Sequence, residues 1–176
     1  MKHPSFDYVL AGLLLSAALV LPVFFHLLGL GSAFLPMFFP LALAGFLVAP
    51  ALAMIVGVSA PLLSALLTGM PPFYPPIAFI MMAEGLLLTA LPRPLQRLLR
   101  LSDRLALLVV LLLDRALLFV LVRAMAGFME LPPRLLGWAA LAQGLPGLAL
   151  MLAVLPWLIP PLRARKERIA RHHDQE

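Results

Sequence analysis

Glu84, Asp114, Arg115 and Arg123 are ionisable residues set inside long apolar runs, so the chemistry of this chain is sought there first. A charge within hydrocarbon is costly, and each one needs a partner or a function. Glu84 lies mid-way along one apolar stretch, Asp114 and Arg115 at the middle of the next, and Arg123 near the end of the same stretch. His26 closes the first stretch, and Gln143 sits in the last. Glu84 stands about nine residues from its helix end and Arg115 about ten, which puts them at similar depth at ~1.5 Å per residue. Carboxylate and guanidinium can then pair with each other and only fix helix orientation, or share a bound polar solute. Both readings are open at this point. Asp114 and Arg115, being adjacent, project about 100° apart on a helix, so they are not expected to face one cavity squarely.

Other chemistries lack their residues. The chain has no cysteine, which removes disulfides, thiol nucleophiles and thiolate metal sites. It has no glycine-rich phosphate loop ending in Lys-Ser or Lys-Thr, no pair of histidines at zinc-protease spacing and no acidic metal cluster. His172 and His173 lie in a basic tail and read as solvated. The expectation is a binding protein without cofactor or metal, not an enzyme.

The elements that must position these groups follow from composition. Of 176 residues, 63% are hydrophobic and 12% charged. Soluble domains carry roughly 45–50% apolar and about 25% charged residues, so the solvent expected here is lipid. A helix crossing ~30 Å of hydrocarbon needs about 20 residues. Candidates are Tyr8–Leu28, a segment from about Pro75 to Leu91, Leu105–Met125, and Leu135–Ile159 with a kink at Pro146. The first is read as a retained helix, because its apolar run is too long for a secretion signal. Pro36–Leu67 as one helix would reach roughly 48 Å, and Pro50 disfavours helix at Ala49. Two short helices, Met37–Ala49 and Ala51–Leu67, are therefore expected, making six. The fold class is an all-α integral membrane bundle over residues 1–162, followed by a basic tail over 163–176.

The net charge of +5 is concentrated in two places, Arg93–Arg104 and Arg163–Arg171. Basic residues beside membrane helices mark the cytoplasmic face and meet anionic lipid. With six helices, both clusters and the N-terminal Lys2 share that side, while the opposite loops hold a single basic residue, Arg134. Two opposite loops, Phe34–Pro40 and Thr68–Pro76, are rich in proline and aromatics. They read either as stiff lids over a bound solute or, through Phe73, Tyr74 and Trp138, as interfacial anchors. Small residues recur at helical spacing in Gly12 with Ser16 and Ala53 with Gly57, which suits internal packing or a docking face.

The run Phe34-Leu-Pro-Met-Phe-Phe-Pro-Leu-Ala-Leu-Ala-Gly-Phe46 resembles a segment of the substrate-binding S-components of energy-coupling factor vitamin transporters. Pro61-Leu-Leu-Ser-Ala-Leu-Leu-Thr-Gly-Met-Pro-Pro72 is similar to a second stretch of that family, and Met82-Ala-Glu84, Asp114-Arg115 and Gly144-Leu-Pro-Gly147 follow in family order. The resemblance covers about residues 20–160. Phe38 stands where many relatives have histidine, and Gly12–Ser16 is a looser form of the family's first-helix docking pattern.

The resemblance implies a six-helix S-component bundle in a bacterial or archaeal cytoplasmic membrane, with both termini cytoplasmic. The implied partners are a transmembrane coupling subunit, two ATPase subunits and a vitamin-like small molecule. The expected solute site is an outer hollow formed by helices four to six and the first two outer loops. Its candidate contacts are Glu84, Arg115, Arg123, Gln143, His26 and Tyr74. An arginine-lined hollow suits a carboxylated vitamin such as pantothenate or folate. The rival reading is a small scaffold subunit, such as one of the rod-shape machinery, using its polar residues only for assembly.

Overall fold

The structure, a computed structural model, describes residues 4–74, 76–129, 142 and 144–173. Proline and glycine punctuate the apolar sequence into eight helices and no strand among these residues. The helices are α1 (Pro4–Leu27), α2 (Gly31–Phe34), α3 (Phe38–Leu47) and α4 (Pro50–Thr68), then α5 (Ile77–Ala90), α6 (Pro92–Leu98), α7 (Asp103–Met129) and α8 (Leu145–His173). Among the described residues, five segments are long and apolar enough to cross a membrane: Phe6–Leu27, Pro50–Thr68, Ile77–Leu98, Asp103–Met125 and Leu145–Ile169. The protein is thus a multi-pass, all-helical membrane protein.

The break expected at Pro50 is present. Helix α3 stops at Leu47, Val48 turns extended at φ −94°, ψ 153°, and Pro50 opens α4, where its missing N–H is harmless. The second expected span, however, is short: α3 has 10 residues. At ~1.5 Å per residue it rises about 15 Å, roughly half the hydrocarbon thickness. The rest of this pass is α2 and a turn through Leu35 in the left-handed region (φ 49°).

The sixth helix also differs from expectation. Pro146 is the second residue of α8 rather than a mid-helix kink, and α8 continues through the basic tail to His173. The expected start at Leu135 lies outside the described residues.

Ion pairs define one end of the bundle. Lys166 on α8 donates to Asp7 on α1 and, at 2.6 Å, to the Leu47 carbonyl that ends α3. Arg163 holds Asp103 through two bonds of 2.9 and 3.3 Å, and Gln96 on α6 donates to the same carboxylate. Arg104 lies over the Trp157 ring at 5.2 Å. The start of α1, the loop before α7 and the tail therefore share this basic end, as the six-pass expectation requires. At the opposite, far end, His26 meets Gly31, and the Phe34 carbonyl meets Gly147.

Burial sorts the passes. Phe38, Leu41, Leu88, Leu107, Met151, Leu155 and Ile159 form a fully buried core from α3, α5, α7 and α8. Helix α1 is peripheral and exposes Tyr8, Val9, Leu13, Val20 and Phe24. The run Phe34–Pro40, expected as an outer loop, is largely interior instead: Met37 and Phe38 are 3% and 1% exposed. Its prolines and aromatics start α3 and pack inward. In the other proline-rich loop Met70, Phe73 and Tyr74 are exposed at the surface of the bundle.

Candidate functional site

Helix α5 carries Glu84 inward because Gly85 beside it lets α5 lie directly against α4. A Cβ at Gly85 would collide with the Gly57 carbonyl oxygen, and one at Gly57 with the Gly85 carbonyl and Thr89 Oγ1. Pro61, four residues after Gly57, has no N–H to give that carbonyl. Thr89 returns its hydroxyl to the Gly85 carbonyl at 2.8 Å, which keeps this buried contact satisfied. The close approach leaves the Glu84 carboxyl facing α7.

There Arg115 Nη2 donates to Glu84 Oε1 at 3.0 Å. The same guanidinium turns back onto its neighbour, with Nε at 3.0 Å and Nη2 at 2.6 Å from Asp114 Oδ2. All three side chains are well buried, at 4% exposure for Glu84, 0% for Asp114 and 14% for Arg115. Two carboxylates thus hold one guanidinium in an apolar interior. Asp114 Oδ1 is buried with no hydrogen-bond partner among the described residues. A carboxylate oxygen left without a donor in such a medium is expensive.

The far-end segments close over this cluster. A Cβ at Gly144 would stand 3.1 Å from Arg115 Nη1 and 3.0 Å from Leu35 Cδ1. A Cβ at Gly147 would stand 2.5 Å from the Phe34 carbonyl oxygen. At Gly147 only glycine admits the approach, since the obstacle is backbone, while at Gly144 side-chain ends would have to give by a few tenths of an ångström, so the start of α8 seats on the turn between α2 and α3, beside Arg115. Leu41, the next turn along α3, reaches Gly85.

Of the six expected contacts, Glu84 and Arg115 come together. Arg123 is exposed further along α7, and Tyr74 is exposed on the far-end loop. His26 is exposed as well; its Nδ1 bonds the Pro22 carbonyl at 2.8 Å and its ring fills the space beside Gly31. That places His26 in the last turn of α1, against the start of α2. Gln143 lies outside the described residues. Asp114 is the residue the sequence reading left out of the site. The signal available was its position next to Arg115; what hid its part was the length of the arginine side chain, which bends through the angle separating the two Cβ atoms.

A cavity of about 340 Å³ opens at the basic end, between the start of α1, the end of α3, α6 and α8. None of the six expected contacts lines it. It lies at the opposite end from the hollow expected beneath the proline-rich loops. No group of three or more potential metal ligands occurs among the described residues.

No protein-family model matches the chain, and neither a curated protein nor a solved structure matches it.

Proposed function

We propose that this protein is the membrane-embedded solute-capture subunit of an energy-coupling factor importer for a vitamin or related micronutrient. The observation that carries the reading is convergence. Phe34 and Leu35, Glu84, Asp114 with Arg115, and Gly144 with Gly147 come from four separated stretches and meet around one buried charged cluster. Four of the five stretches that carry the resemblance contribute to it; Pro61–Pro72 does not. A scaffold that merely needed oriented helices would be served by a single ion pair; a second carboxylate with an oxygen unpartnered among the described residues is a cost that binding could offset.

The charge balance bears on the solute. Arg115 is already held by two carboxylates, so it has no free charge for the carboxylated vitamin that an arginine-lined hollow would suit. Among the described residues the open valence is an acceptor, Asp114 Oδ1, which favours a solute that brings a donor or a positive charge. Under this reading the basic end faces the cytoplasm and the solute is taken from the far side.

Purification in mild detergent followed by mass spectrometry of retained small molecules identifies the solute. Glu84→Gln and Arg115→Met variants that still elute as folded protein are expected to lose affinity for it. Unchanged affinity in both would remove the cluster from the site, and capture of cell-wall synthesis proteins with no retained solute would favour the scaffold. Gly12 and Ser16 are both exposed on α1, as a face for the coupling subunit requires. Gly12→Leu with Ser16→Leu should abolish co-purification with the coupling subunit and spare solute binding.

A further inference from the structure

We propose that the cavity at the basic end is a specific site for an anionic lipid, whose phosphate is held by Arg93, Arg97 and Arg163. This rests on the cavity itself and not on the solute-capture reading. Four cationic side chains line it against two carboxylates, Asp7 and Glu167, and with Asp103, which binds Arg163 from beside the lining, one positive charge is left over. Among the described residues, the salt bridges at this end join Lys166 to Asp7 and Arg163 to Asp103, and none engages Arg93 or Arg97. Arg93 is half-buried and stands within electrostatic reach of Asp7, which attracts it, and of Arg97 and Arg163, which repel it. Guanidiniums gathered this way repel one another, and a phosphate placed between them turns that repulsion into charge-assisted bonds.

The shape of the cavity selects an amphiphile. Its lining also includes the apolar Phe6, Phe46 and Ala49. Directly after Arg97, α6 ends at Leu98 and is capped by Leu99, 81% and 61% exposed. A short helix that combines arginine with exposed leucine belongs at the level of headgroup and upper acyl chain. Arg163 is fixed by its two bonds to Asp103 and Gln96 is tied to the same carboxylate, so the rim is built before a ligand arrives.

Native mass spectrometry of the detergent-purified full chain tests the site, with phosphatidylglycerol, phosphatidylcholine and inorganic phosphate as probes. One phosphatidylglycerol should remain bound per protein where phosphatidylcholine is lost. Arg93→Gln with Arg97→Gln should weaken its retention by about tenfold or more. Arg165→Gln with Arg168→Gln removes the same charge from exposed positions of α8 outside the lining and should leave retention unchanged. Should the first double variant fail to fold, Arg97→Gln alone, at an exposed position of α6, is read the same way. Equal retention of both lipids, or equal loss in the two double variants, overturns the site. Displacement of the lipid by millimolar inorganic phosphate overturns the lipid as occupant and assigns the arginines to a free oxyanion.

Discussion

Arg115 is the member of the buried cluster that the other two depend on. Its planar fork supplies donors to both carboxylates, which a lysine in its place could not match. Arg115→Met would leave both buried carboxyl groups without the guanidinium that holds them and should cost ~3–5 kcal/mol. Glu84→Gln keeps an acceptor for Arg115 Nη2 and leaves the Asp114 pair intact, so its cost should be nearer 1 kcal/mol. Reversible unfolding of both variants in mixed micelles measures the difference; equal losses would show that Glu84, not Arg115, anchors the cluster. At this scale the sequence was informative where depth decided the outcome. Glu84 and Arg115 sit at matching distances along their helices, and they meet at 3.0 Å. It was uninformative where side-chain reach decided, since backbone angle alone placed Asp114 away from Arg115.

The helix pair α4 and α5 is the most extensively packed in the bundle, and glycine makes it so. Gly85→Val would force the two backbones apart and should cost about 1–3 kcal/mol or prevent folding. Gly12→Val on α1, where an added Cβ meets nothing within 4 Å, should change stability by no more than ~0.5 kcal/mol. Yield and thermal stability of the monodisperse protein compare the two. Ala53 and Gly57 were legible as a small-residue pair, and Gly57 does pack inside. Helix boundaries were legible where proline acts on the backbone alone, as at Pro50. Depth was not legible in the same way. The proline density of Phe34–Pro40 reads as a loop, yet Met37 and Phe38 are core residues. Proline restricts φ and removes a donor; it says nothing about which side of the chain faces neighbours. At Pro146 the same ambiguity took another form, because a proline suits both a kink and a first turn.

Taken whole, the molecule is tied at one end and open to lipid along its flank. Lys166, Asp7 and the Leu47 carbonyl join the first, second and last passes, and Arg163 with Asp103 adds the loop before α7. The absence of cysteine makes the orientation directly measurable. Arg100→Cys should react with an impermeant thiol reagent only from the cytoplasmic side, and Tyr74→Cys only from outside. The reverse pattern would invert the protein and remove the solute-capture reading, while leaving the helix packing untouched. Composition and hydropathy were enough to read the lipid solvent and the pairing of the basic segments at one end. The number of full-length crossings was not, because five helices are long enough and the remaining pass is made of α2 and α3.

That short pass has a consequence for how the protein can be taken apart. The turn at Leu35 interrupts regular helix, with Phe38 N–H reaching the Leu35 carbonyl at 2.9 Å, and acyl chains offer no replacement donors to a backbone of this kind, which is tolerated in a bilayer only where protein covers it. The wrapping supplied by the start of α8 and the end of α1 is therefore a sheath rather than an ornament. Pulling the last helix away, by force or by truncation, would bare polar backbone to oil, so mechanical extraction should proceed in one large rip from the carboxyl side instead of helix by helix.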